Sequence, residues 1–246
     1  MSTTILKADH ISRTAKKLSQ RIFERFPKSG LFDISEELLK LGEKAEADAP
    51  SIARPIYWVR VLVGVLIAFV VVVGSSLVLT VLTNADELSQ VALIDLLEGL
   101  EAGTQQLILF GIAVFFLVTL ESRIKRGRAL RRIHELRSMA HVIDMHQLTK
   151  DPDYYRGETI DTIHSPKREL SLAELMRYLD YCSELLSLTS KIAALYIQRF
   201  SDSVVLASVS DVEHLCDGLS RKIWQKMNIA EDISRQQSGR LSGGVN

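Results

Sequence analysis

Two cysteines, two tryptophans and five prolines in 246 residues remove several designs at once. Two thiols cannot make the disulfide framework that staples small secreted folds. Cys182 and Cys216 both fall inside apolar helical patterns and read as buried thiols. Five prolines and 13 glycines are too few for a loop-rich β protein or a low-complexity disordered chain, and helices are left. Net charge is missing as well, with 30 Lys and Arg against 30 Asp and Glu. No global field draws DNA, RNA or an acidic partner, and any electrostatic role has to come from local clustering.

Catalytic signatures are also lacking. The chain has no Gly-rich phosphate loop, no H-E-x-x-H, no G-x-S-x-G and no C-x-x-C. Ser122 and Lys125 match the S-x-x-K spacing of a serine–lysine pair. The companion S-D-N and K-T-G motifs are absent, though, and this lysine sits in a hydrated basic run, so the spacing is no sign of a nucleophile. No catalytic residue and no cofactor is expected.

What the chain does have is apolar length. Residues 61–82 read VLVGVLIAFVVVVGSSLVLTVL without an ionisable side chain, and at about 1.5 Å rise per residue such a helix spans a bilayer core of about 30 Å. A second run, residues 107–120, reaches about 17 residues, the lower limit for a crossing, when Thr104, Gln105 and Gln106 are counted. A re-entrant or docked helix is the alternative for it. Lys and Arg in short flanking loops set orientation. Residues 83–106 contain neither and carry Asp86, Glu87, Asp95, Glu98 and Glu101. Arg54 and Arg60 precede the first run, and Arg123, Lys125, Arg126, Arg128, Arg131 and Arg132 follow the second. Both ends are therefore expected in the cytoplasm, with these six cations beside anionic lipid headgroups. The N-terminus lacks the continuous apolar core of a secretory signal, so the first span is expected to direct insertion and nothing to be cleaved.

The expected architecture is all-α: an integral membrane protein with a two-helix transmembrane hairpin and a cytoplasmic helical bundle. Residues 1–55 hold two amphipathic helices. The first carries Ile11, Leu18, Ile22 and Phe26 among Lys16, Lys17, Arg21 and Arg25, and either packs on the other cytoplasmic helices or lies on anionic lipid. Asp33 with Glu36 offers a capping box for the second, and Pro50 and Pro55 break the chain before the bilayer. Residues 56–120 form the hairpin, with spans at about 61–82 and 104–120. An acidic outer helix at about 86–102 has Leu93, Leu96, Leu97 and Leu100 on one face, to dock on the membrane boundary, on a neighbouring subunit or as an acidic ring at a channel mouth. Residues 121–149 continue the second span as a stalk, the whole helix about 60 Å long. A polar loop occupies 150–168. Residues 169–230 make a helical hairpin that opens on a Ser171 and Glu174 capping box, and its last helix carries Val205, Val209, Val212, Cys216, Leu219, Ile223 and Met227, with Ser210 and Glu213 as an alternative start. Residues 231–246 form a disordered tail.

Few groups invite chemistry. His134, His141 and Asp144 share a side of the stalk, but His134 and His141 are about 10 Å apart along the axis and cannot hold one ion. His141 with Asp144 is the remaining metal candidate and needs a third ligand from elsewhere. Within the spans Gly74, Ser75 and Ser76 allow close helix packing, with a polar pathway including Thr80 as the alternative. No Asp, Glu, Lys or His lies inside the spans, which argues against an ion-coupled transporter. The expected function is a membrane-anchored, non-catalytic interaction or scaffold protein. Its partners would be the anionic bilayer, a second copy, or another membrane or cytoplasmic protein, and not nucleic acid, since no aromatic platform interleaves the basic run. The positive-inside pattern fits a bacterial inner membrane. Two alternatives stand: a subunit of an oligomeric channel or transport assembly, and a membrane-associated enzyme using the 150–168 loop with His141 or His164.

Overall fold

The computed structural model describes residues 6–83, 93–157, 162–165, 169–198 and 200–242. Six α-helices account for nearly all of them: α1 (Ala8–Arg25), α2 (Gly30–Ala53), α3 (Tyr57–Thr83), α4 (Leu93–Leu148), α5 (Leu172–Leu195) and α6 (Ser203–Ser242), with a 3-10 turn at Pro152–Arg156. No strand occurs among the described residues, so the all-α reading holds. The chain divides into two compact units, one of residues 1–53 with 128–246 and one of residues 54–127.

The first unit has a single hydrophobic core drawn from both ends of the sequence. α1 buries Ile11, Ala15, Leu18 and Ile22 at helical spacing, so its apolar stripe is spent on protein packing and is not free to lie on lipid. α2 adds Leu31, Leu38 and Ala45, and α4 adds Ala129, Ile133, Leu136, Ala140 and Ile143. The broad face read from the sequence of α5 is buried along its length, from Leu175 to Leu195. α6 closes the core with Val205, Val209, Val212, Cys216, Leu219 and Ile223. Each fully buried Leu or Ile contributes about 1.5–3 kcal/mol relative to exposure. Polar groups fix the register. The Arg21 guanidinium grips the Glu184 carboxylate at 2.9 and 3.2 Å, joining α1 to α5. The Ser35 hydroxyl donates to Ser19 at 3.0 Å between α1 and α2. Phe26 meets Tyr178 and Tyr181 edge-on.

Helix ends agree with the sequence in one place and depart from it in others. The Ser171 and Glu174 capping box is formed, each side chain accepting the other's backbone N–H, at 3.3 and 2.8 Å. α2 begins at Gly30, which leaves Asp33 in its first turn and not at the cap. A Cβ on Gly30 would stand 2.5 Å from His146 Cε1, so the bare glycine is what lets the imidazole sit there. Pro50 does not break the chain: it lies inside α2, which ends at Ala53, and the interruption comes at residues 54–56. α6 starts at Ser203 because Asp202 Oδ1 accepts the N–H groups of Val204 and Val205 at 3.0 and 3.2 Å.

The tail also differs from expectation. α6 runs to Ser242, and residues 231–242 are helical because Ala230 and Ile233 continue its buried stripe. Gln237 Nε2 also donates to the Tyr155 carbonyl at 3.2 Å. Residues 243–246 lie outside the described residues. In the polar loop Asp151 accepts the Asp153 N–H at 3.1 Å, Gly157 takes φ 81°, and the Tyr155 hydroxyl donates to the Leu170 carbonyl. Residues 158–161 and 166–168 of that loop lie outside the described residues.

The second unit contains α3 and the first part of α4. Its less exposed positions fall on one stripe per helix, Val59, Val63, Leu66 and Val70 on α3 and Phe110, Ala113, Val114 and Leu117 on α4. Phe69 and Phe110 rings lie 6.1 Å apart across them. The remaining apolar surface is bare, with Val65 62% and Phe115 71% exposed. Both helices are long and apolar enough to cross a membrane, and 6% and 0% of their most apolar windows are buried. The acidic outer helix expected at 86–102 is not a separate element from Leu93 onward, since α4 continues through it. Separated glycines such as Gly99 and Gly103 cost a helix only about 1 kcal/mol each and do not stop it. Residues 84–92 lie outside the described residues.

Candidate functional site

The densest polar constellation stands at the first position beyond the second apolar run. The Glu121 carboxylate accepts from Lys125 Nζ at 2.7 Å, from Arg60 Nε at 3.3 Å and from the Ile56 N–H at 3.3 Å. Ile56 immediately precedes α3, so a donor at a helix start is satisfied by a side chain of the neighbouring helix. The hydrogen bond from Lys125, followed by those from Ile56 and Arg60, holds the Glu121 carboxyl down to about 2, against desolvation that pushes the other way. Its side chain is 15% exposed. The arrangement is an ionic latch between the entry to α3 and the end of the apolar stretch of α4.

A second lock lies in the other unit. The Arg132 guanidinium bonds Asp48 at 2.7 Å and Glu135 at 3.2 Å, tying the end of α2 to α4. At the far end of α4, Lys226 Nζ donates to the Gln147 carbonyl at 2.7 Å and so caps the helix. Burial lowers the Lys226 pKa while Asp151 and Asp144 oppose the shift. The Gln147 amide donates to Asp144 at 2.6 Å.

These contacts revise several expected roles. Of the six cations assigned to lipid headgroups, Lys125 is buried against Glu121 and Arg132 is held by Asp48 and Glu135. Both are structural, while Arg123, Arg128 and Arg131 are exposed and Arg126 is half-buried. His141 is exposed, and Asp144 is occupied by Gln147. Among the described residues no group of three or more His, Cys, Asp or Glu side chains comes together in a way that would hold a metal ion. A Cβ on Gly74 would meet nothing within 4 Å, so close packing at this glycine is not made among the described residues. Ser75 is exposed and donates to the Val72 carbonyl at 3.0 Å, which spends its proton within its own helix. Ser76 is exposed as well. Both cysteines are buried, and desolvation pushes each thiol up to about 12.

Sequence reasoning missed Glu121, Asp48 and Lys226. Their partners are 61 to 84 positions away, and the one local signal was the i,i+4 spacing of Glu121 and Lys125.

No protein-family model matches the chain, and comparison with curated proteins and with solved structures finds no match either. The class that fold and site define is an all-helical protein carrying an exposed apolar helical hairpin.

Proposed function

We propose that this chain is a membrane-anchored, non-catalytic interaction or scaffold protein. In this reading α3 and the apolar part of α4 cross the bilayer, and the unit of residues 1–53 and 128–246 stands in the cytoplasm with both termini. The observation that carries it is the composition of one core. Leu18 and Leu38 from before the hairpin share a hydrophobic cluster with Leu136, Leu185 and Ile192 from after it. Segments that fold together occupy one compartment, so the chain between them crosses an even number of times. The distribution of arginines supports the cytoplasmic side for that compartment, and a bacterial inner membrane fits the pattern. Arg54, Arg60, Arg123 and Arg126 then meet anionic headgroups, while the Glu121 latch sets the spacing of the two helices at the membrane border.

The bare apolar surface of the hairpin supports burial in lipid, because a soluble core helix would be covered by protein. The helical mass outside it, with striped packing and inert thiols, supports binding over catalysis. The test is extraction. The full chain should stay with membranes through an alkaline carbonate wash and float with them on a density gradient. Release into the wash would refute the anchor.

A further inference from the structure

The charges of the chain balance overall but are not evenly mixed over α2 and α4 in the unit of residues 1–53 and 128–246. On α4 the exposed positions Arg128, Arg131, His134, Arg137 and His141 lie on the half of the helix opposite Ile133, Leu136 and Ala140. Glu135 projects into the same half of the helix, but it is half-buried and held by Arg132 at 3.2 Å, so the exposed positions of this face are cationic or imidazole. On α2 the exposed carboxylates Asp33, Glu36, Glu37 and Glu43 occupy about a third of the circumference opposite Leu38 and Ala45. Lys40 and Lys44 share that arc, so the carboxylates still outnumber the amines there. Among the described residues none of these three arginines and four carboxylates is in an ion pair, whereas Arg132 and Asp48 at the border of the two faces are paired at 2.7 Å.

We propose that the arginine face of α4 in one copy docks on the carboxylate face of α2 in a second copy. The occupant is argued from complementarity. Carboxylates that complement the α4 face are displayed on the same polypeptide, outside any ion pair among the described residues. The guanidinium-to-carboxylate contact that joins these helices within one chain, Arg132 with Asp48, would be repeated between chains. Two α4 faces would repel each other, so the contact pairs unlike surfaces. It therefore builds either a dimer with two such contacts or a longer row. Exposed ion pairs are individually weak. The inference rests on the membrane-anchored reading in one respect: confinement of copies to a bilayer raises their effective concentration, and weak contacts then suffice.

The test is charge reversal in the full chain, in detergent or in nanodiscs, read by analytical ultracentrifugation. Wild type should associate with rising concentration, and should dissociate in about 1 M salt, where the screening length falls to about 3 Å. Arg131→Glu with Arg137→Glu, and separately Glu36→Lys with Glu37→Lys, should each weaken self-association about tenfold or more, equivalent to about 1.4 kcal/mol. All four positions are exposed, so circular dichroism should show both variants folded. Mixing the two variants should restore association in equimolar complexes. Monomeric wild type at every concentration, reversal without effect, or a mixture that stays monomeric would overturn the proposal. So would association that appears only on adding anionic vesicles or RNA. A chain that needed no detergent would remove the membrane anchor alone and leave the charge-reversal result to be read by itself.

Discussion

At the scale of single residues, Glu121 carries the sharpest consequence. Its folded carboxyl lies below the ordinary 4.5, at about 2, so the ionised form is the one the structure favours. The stabilisation is fully present above about pH 4.5 and is lost as pH falls toward 2. Glu121→Gln should lower the stability of the detergent-solubilised chain at pH 7 by about 2 kcal/mol, the order of a charge-assisted hydrogen bond. Thermal unfolding followed from pH 7 to pH 3 should show the gap from wild type narrowing below about 4.5, and a constant gap would mean that the latch is not ionic. The two thiols give a second check. Thiolate is the reactive species, and burial holds Cys182 and Cys216 up to about 12. Neither should be alkylated at pH 8 in the folded chain, and both should be in denaturant, as intact mass will show.

Between elements, the separation in sequence decides what could be read in advance. The apolar runs, the stripe of α5 and its Ser171 cap involve neighbours within about four positions, where helical spacing is explicit. The Glu121 latch joins positions 61 apart, and the Arg132 contact with Asp48 joins positions 84 apart, distances at which a sequence pattern carries no pairing information. Pro50 was legible as a breaker, yet the packing of Ala45 and Ile52 holds α2 together around it. The end of α6 departs from its polar composition for a similar reason. SRQQSGRLSGGVN is polar, yet the buried Ala230 and Ile233, the latter 2% exposed, and the Gln237 bond to the Tyr155 carbonyl support α6 past residue 230. Ile233→Ala should therefore cost about 2–4 kcal/mol, measurable by chemical denaturation. No change would mean that the end of α6 contributes nothing to the core.

For the whole molecule, one helical core is assembled from the two flanks of an apolar helical hairpin, and the proposal is that this hairpin crosses a membrane. Compartment labelling tests it most directly. In a Cys182→Ala and Cys216→Ala background, Asp95→Cys reports the connection between the apolar runs and Lys222→Cys reports the exposed surface of α6. With a membrane-impermeant maleimide on intact cells, the account predicts labelling of residue 95 and protection of residue 222, reversed in inside-out vesicles. Labelling of both positions from the same side would contradict it.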